Sequence, residues 1–308
     1  MKNMAIASSV NLLLFTAFVP VTIVGATCRP EYQNLPSGLV HTACKPPNPN
    51  CTLIATGLSA VEKVEMLKAH NDLRSQVAQG RLSGFPTATN MYRLKWDDEL
   101  ADVAQAFTNQ CDHHHDKPEQ RITTKFPKVG QNLAWNFESA NTPVVDSAGR
   151  VKDWIDEYKD FHPGNIDPFS VNRGPVVTHF TQVAWAETRY LGCGYTHFKL
   201  QQNPNPGLPF TKLFACHYAP AGNTIGMSMY KRGASCSACQ DGTSCDSASG
   251  LCRTPGESDG IGESESGGGS SIVWAILAIV LIGLLAAAAA GVAYFYVRTR
   301  TAAPDEPE

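Results

Sequence analysis

Ten cysteines lie between Cys28 and Cys252, and an apolar segment stands on either side of them. This arrangement constrains the fold more than any other feature, because it decides the redox compartment. The N-terminal segment has a basic residue at Lys2, a mostly apolar run from Leu12 to Val24, and small residues at Val24-Gly25-Ala26. Those are the three parts of a cleavable export signal. Asn11, Thr16, Pro20 and Thr22 interrupt the run, which argues against a retained anchor, so residues 1–26 are expected to be a signal peptide. An exported chain meets oxidising conditions, and an even set of cysteines is then expected to pair as disulfides. A zinc ribbon is the competing reading for Cys236-x-x-Cys239, and export disfavours it.

The second apolar segment, residues 272–297, contains no charged residue and is long enough as a helix to cross a hydrocarbon core of about 30 Å. Trp274 lies near one end and Tyr294 and Tyr296 near the other, with Arg298 and Arg300 directly after. Interfacial aromatics and the positive-inside bias point to a membrane-spanning helix with residues 298–308 as a cytoplasmic tail. The expected topology is a single-pass type I protein at the cell surface, with a shed or secreted form as the alternative. A net charge of −3 gives no electrostatic case for nucleic acid as a partner.

Between these ends the pattern changes several times. Residues 27–57 are rich in Pro, Asn and Cys without a sustained period and are expected to form an irregular, cross-linked arm. Ser59-Ala60-Val61-Glu62 is a capping box, and the helix it opens is expected to reach Gln79, where Gly80 stops it. A second helix is expected from Asp97, with Leu100, Ala104, Phe107 and Cys111 on one inward face. A third is expected from Val151 to Phe161. Beyond Gly174-Pro175, Val177–Trp185, Leu191–Phe198 and Lys212–Tyr218 are short β-branched or aromatic runs that predict strands. Asn203 to Gly207 is a loop between the last two. Helices first and strands later predict an α+β fold. Residues 226–252 form a small cysteine-dense segment that needs bridges to hold it, and residues 253–271, rich in Gly, Ser and Glu, predict a flexible tether.

Four segments together resemble the CAP superfamily of cysteine-rich secretory proteins, antigen 5 allergens and group 1 pathogenesis-related proteins. They are His70-Asn71-Asp72-Leu73-Arg74, Gly130-Gln131-Asn132-Leu133, His179-Phe180-Thr181-Gln182-Val183-Ala184-Trp185, and Phe214-Ala215-Cys216-His217-Tyr218-Ala219-Pro220-Ala221-Gly222-Asn223. The arm from His41 to Cys51 is most similar to the antigen 5 branch. The resemblance implies an α-β-α sandwich for the CAP/SCP domain, residues 58–225, followed by a disulfide-rich hinge. It implies bridges Cys28–Cys44, Cys51–Cys111, Cys193–Cys216, Cys236–Cys245 and Cys239–Cys252. It also implies a central cleft around His115, Gln131, Glu157 and His179. Gln131 stands where the family commonly has a Glu.

Helix arithmetic supports Glu157 independently, since it lies roughly 60° from Trp154, on the edge of the apolar stripe of its helix. Two imidazoles and a carboxylate suit a divalent metal such as zinc with an open coordination position, although an amide at 131 supplies neither charge nor a general base. Zinc is thus a candidate, not an obligatory, cofactor. His113 and His114 beside His115 suggest a metal tract, but in a short loop after a helix they are expected to face solvent. His70 and Arg74 are expected to tie the first helix to backbone carbonyls. Asn50-Cys51-Thr52 is the single glycosylation sequon, with a cysteine in its middle. No nucleophile elbow, HExxH helix or Walker loop occurs. The expected function is a non-enzymatic extracellular binding module for a protein, glycan or lipid ligand. A lipid or sterol carrier and a hydrolase, metal-dependent or serine-type, are the alternatives.

Overall fold

A computed structural model describes residues 28–261. The expected signal peptide, the membrane helix at 272–297 and the cytoplasmic tail lie outside the described residues. Among the described residues no helix is long and apolar enough to cross a membrane.

The first helix, α1 (Ala60–Ala78), begins as its sequence demands. Ser59 Oγ accepts from the Glu62 amide, and the Glu62 carboxylate accepts from the Ser59 amide at 2.6 Å. At the other end Gly80 takes a φ of +67°. The Arg81 amide then reaches the Gln76 carbonyl and the Gly80 amide the Val77 carbonyl, a Schellman closure that glycine makes without steric cost. Helix α2 (Asp98–Thr108) is capped by Asp97, whose side chain accepts from the Leu100 amide. Cys111 follows the helix rather than extending it, with a φ of 59°, and is buried. Helix α3 (Ser147–Asp156) starts earlier and ends earlier than its apolar stripe predicts, giving way to a 3-10 turn at Glu157–Lys159.

Two of the longer strands were not legible in the sequence, nor were the short ones at Lys95–Trp96, Ser244–Asp246 and Leu251–Arg253. Strand β1 (Cys51–Thr56) lies in the arm expected to be irregular and pairs antiparallel with β4 (Tyr190–Leu200). Strand β3 (Gly130–Glu138) carries the Gly-Gln-Asn-Leu motif and pairs with β5 (Phe210–Ala219). The main sheet runs β1-β4-β5-β3, with the short β2 (Lys95–Trp96) parallel to β4. Conversely, the run Val177–Trp185 is not a strand. It forms helix α4 (Thr178–Val183), because Val177, Phe180, Val183 and Ala184 share one buried face at helical spacing.

Alternation along the central strands builds the sandwich. Leu191, Cys193 and Tyr195 of β4, with Phe214, Cys216 and Tyr218 of β5, pack under Met66, Leu67, Val151 and Trp154 of α1 and α3. The opposite face carries Phe198, Leu213 and Ala215 against Ala104 and Phe107 of α2. Here α2 lies directly on the strand: a Cβ on Gly192 or Gly194 would meet the Ala101 or Gln105 backbone nitrogen at 2.2 or 2.4 Å. Cys193 and Cys216 sit directly opposite one another in the ladder and are bridged. The other pairs are Cys28–Cys44, Cys51–Cys111, Cys236–Cys245 and Cys239–Cys252, the connectivity that the resemblance implies.

The hinge adds a two-stranded ribbon, β6 (Ser244–Asp246) with β7 (Leu251–Arg253). Residues 254–261, where composition predicts a tether, instead return to the domain. The Trp96 amide donates to the Asp259 carbonyl at 2.9 Å, Arg93 pairs with Asp259 and Lys95 with Glu257, and Ile261 packs beside the apolar core. A Cβ on Gly260 would meet the Trp96 carbonyl oxygen at 2.4 Å, so a glycine is required at that close approach.

Candidate functional site

The frame of the site hangs on Arg74. It is fully buried and donates its five N–H groups to five backbone carbonyls: Nε to Tyr92, Nη1 to Val183 and Trp185, and Nη2 to Ala186 and Thr188. One side chain thereby joins α1 to the segment after α4. His70, one turn earlier, does the same for the sheet. Its Nδ1 faces the Met66 carbonyl at 2.7 Å and its Nε2 the Tyr218 hydroxyl at 2.8 Å. A carbonyl only accepts, so Nδ1 carries the proton and Nε2 accepts from Tyr218. The Tyr218 oxygen in turn accepts from Asn132 Nδ2, which also donates to the His179 carbonyl.

Two imidazoles each have a partner at the back; of the two, His115 lines the cleft. Glu157 stands where α3 becomes a 3-10 turn. Its Oε1 lies 2.6 Å from His179 Nδ1, and its Oε2 accepts from the amides of His179 and Phe180 at 3.0 and 3.1 Å. The carboxylate thus caps the start of α4 and fixes the His179 ring, which also stacks on Trp154. His115 Nδ1 lies 2.6 Å from Gln131 Oε1. The orientation of that amide is set by its other end, where Gln131 Nε2 faces Asp116 Oδ1 at 3.2 Å and His217 Nε2 at 3.1 Å. A carboxylate oxygen only accepts, so the amide nitrogen must point there and the amide oxygen at His115. Both rings therefore donate through Nδ1 and keep the Nε2 lone pair.

Asp116 and His217, which the sequence did not mark as part of the site, hold Gln131 in place. The Asp116 side chain is 1% exposed and is held by Arg121 Nη1 at 2.7 Å and by Thr42. His217 is fully buried, and burial pushes its pKa down to about 3. A protonated ring would set its Nε2–H against the Gln131 N–H, so the site requires the neutral form. Both belong to recognisable runs of sequence. Only the register of β3 against β5, which puts Gln131 opposite His217, shows that they support the cleft.

The cleft encloses about 580 Å³ and is lined by His115, Gln131, Thr178, Gln182, Gly222 and Asn223 among others. Its far wall is locked by mutual bonds: Gln182 Oε1 accepts from the Gly222 amide, Thr181 donates to Asn223 Oδ1, and Asn223 Nδ2 donates to the Thr178 carbonyl. His115, His179 and Glu157 do not form a triad with ligand atoms within 4.8 Å of one another. Among the described residues the groups that do are Cys236-Cys239-Cys252 and Asp112-His113-His114. The first is made of disulfide cysteines and is no metal site. Asn50 Oδ1 accepts from the Gln202 amide, and Cys51 beside it is bridged.

Comparison with known proteins agrees with this architecture. Residues 67–218 match the CAP family, described as the cysteine-rich secretory protein family. Venom allergen 5 of Vespula vidua is 39% identical over 207 residues, covering 63% of this chain and 94% of that protein. CRISP/Allergen/PR-1 of Trittame loki is 38% identical over 255 residues, covering 80% of this chain. The chain spans only 61% of that relative's length. The crystal structure of NaASP2 with Zn2+ is 27% identical at a TM-score of 0.50, covering 64% of this chain and 97% of that one. On the strength of the shared fold, the shared identity and the near-complete coverage of the Vespula protein, this chain belongs to the CAP family of cysteine-rich secretory proteins.

Proposed function

We propose that this CAP domain is an extracellular, non-enzymatic binding module whose central cleft presents His115 and His179 to a divalent cation or to a ligand that needs two imidazole acceptors. The observation that supports the reading most is the pairing at the back of each ring, Gln131 behind His115 and Glu157 behind His179. A histidine held through Nδ1 by an acceptor, with Nε2 free, is the usual state of a metal-ligating imidazole. Zinc fits the donor chemistry, and NaASP2 offers a family precedent. Glu157 serves here as the orienting group: its oxygens already accept the His179 ring and two backbone amides. With two protein donors, water or the ligand would complete the coordination. The amide of Gln131 takes no proton, so that side chain supplies no general base. Residues 272–297 would hold the module at the cell surface.

Calorimetric titration of the full-length chain with zinc tests the reading. Replacing both His115 and His179 by Gln is expected to remove one equivalent of binding. Glu157→Gln is expected to keep that equivalent but weaken it about 10- to 100-fold, because it loosens the ring that it orients. Unchanged zinc binding in the double variant contradicts the proposal.

A further inference from the structure

The three consecutive histidines divide in two. His115 turns to Gln131 and the cleft, whereas His113 and His114 stay with Asp112 on the outside of the loop. Asp112 Oδ1 accepts from the His114 amide at 3.0 Å and lies 2.8 Å from His114 Nδ1. The His113 ring is 4.5 Å from the His114 ring. It also lies 5.1 Å from the Trp135 ring of β3 and edge-on to Phe137. Trp135 and Phe137 are both exposed, at 41% and 48%, and form a shelf under His113 that restricts where its ring can go. The loop itself is fastened by Cys111, which is bridged to Cys51 and held in the left-handed region.

From this geometry we infer that Asp112, His113 and His114 form a second divalent-cation site on the surface, distinct from the central cleft. One ligand atom from each residue lies within 4.8 Å of the others. A zinc-class ion bound at about 2.0–2.2 Å to each donor needs them roughly 3.3 Å apart, so side-chain rotation alone closes the site. The ion would take the place of the proton now shared between His114 and Asp112. Two imidazoles and one carboxylate suit zinc, copper(II) or nickel(II) rather than calcium or magnesium. Side-chain exposures of 78% for His114 and 60% for Asp112 leave the outward coordination positions open to water or to a donor from another molecule. The site is independent of the cleft reading, because none of its three ligands lines the cleft.

Trp135 supplies a local reporter, because copper(II) bound at His113 would quench the indole beside it. The full-length chain, stripped of metal, is titrated with copper(II) while tryptophan fluorescence is followed, and separately with zinc by calorimetry. Saturable quenching is expected, and Trp135→Phe should remove most of it although four other tryptophans remain. Replacing His113 and His114 by Ala should raise the quenching midpoint at least tenfold and remove one zinc equivalent, with an unchanged far-UV spectrum. Replacing His115 and His179 by Gln should leave both readouts of this site in place. An unchanged midpoint in the His113/His114 variant, or quenching lost in the His115/His179 variant instead, overturns the inference.

Discussion

Replacing Arg74 by Met is expected to cost more than about 4 kcal/mol, a large fraction of the stability of a domain of this kind. The side chain is fully buried and all five of its donors are used on carbonyls. Burial disfavours the guanidinium charge, and the carbonyl oxygens around it offset that penalty. Methionine fills much of the volume but leaves the Tyr92, Val183 and Thr188 carbonyls without their donor, while Trp185 and Ala186 keep the Thr188 and Tyr92 amides. Lysine restores the charge with three donors at a single point, so Arg74→Lys should recover part of the loss and remain at least about 2 kcal/mol below wild type. Denaturant unfolding with the disulfides intact measures both. A loss below 1 kcal/mol for Arg74→Met would mean that water or backbone rearrangement satisfies the carbonyls.

The second large effect is acid lability from buried histidines. Burial pushes His70 down to about 4 and His217 to about 3 from 6.5. A depressed histidine is neutral in the fold, so the unfolded chain binds more protons as pH falls below 6.5. The stabilisation is complete above that value and is lost as pH drops toward 4. Each proton contributes a slope of about 1.4 kcal/mol per pH unit, so the two together give about 2.7 near pH 5. His41 and His197 are shifted the same way by burial and act in the same window. Carboxylates come in below it: burial opposes the ionisation of Glu99, but bonds from Thr124 and Tyr32 outweigh it. Unfolding free energy measured between pH 7 and 4.5 should fall steeply, and His70→Gln should cut the slope near pH 5 by about 1.4 kcal/mol per pH unit while lowering stability throughout. A flat profile over this range would contradict the neutral-histidine framework.

Much of this could be read from the chain because local chemistry dictated it. The Ser59–Glu62 box and Gly80 bounded α1 correctly, and the cysteine framework matched the family that it resembles. The misreadings were those in which tertiary pairing overrides local pattern. Strand β1 is mostly exposed, so it has no alternating face to reveal it, and its existence depends on β4. Helix α4 is only six residues long and its β-branched neighbours mimic a strand. At the site, His115, Gln131, Glu157 and His179 were marked by motif, but their roles were not. Glu157 is a support for His179 and not a wall of the cleft, and Gln131 is oriented by Asp116 and His217 from elements that local sequence does not connect.

Both imidazoles of the site are fixed through Nδ1 and free at Nε2. Long-range proton–nitrogen NMR of the histidine rings at pH 8 reads the tautomers directly. The expected result is an Nδ1–H tautomer at His115 and at His179, with zinc shifting Nε2 of both. An Nε2–H tautomer at either ring, or a mixture that Glu157→Gln leaves unchanged, would contradict it.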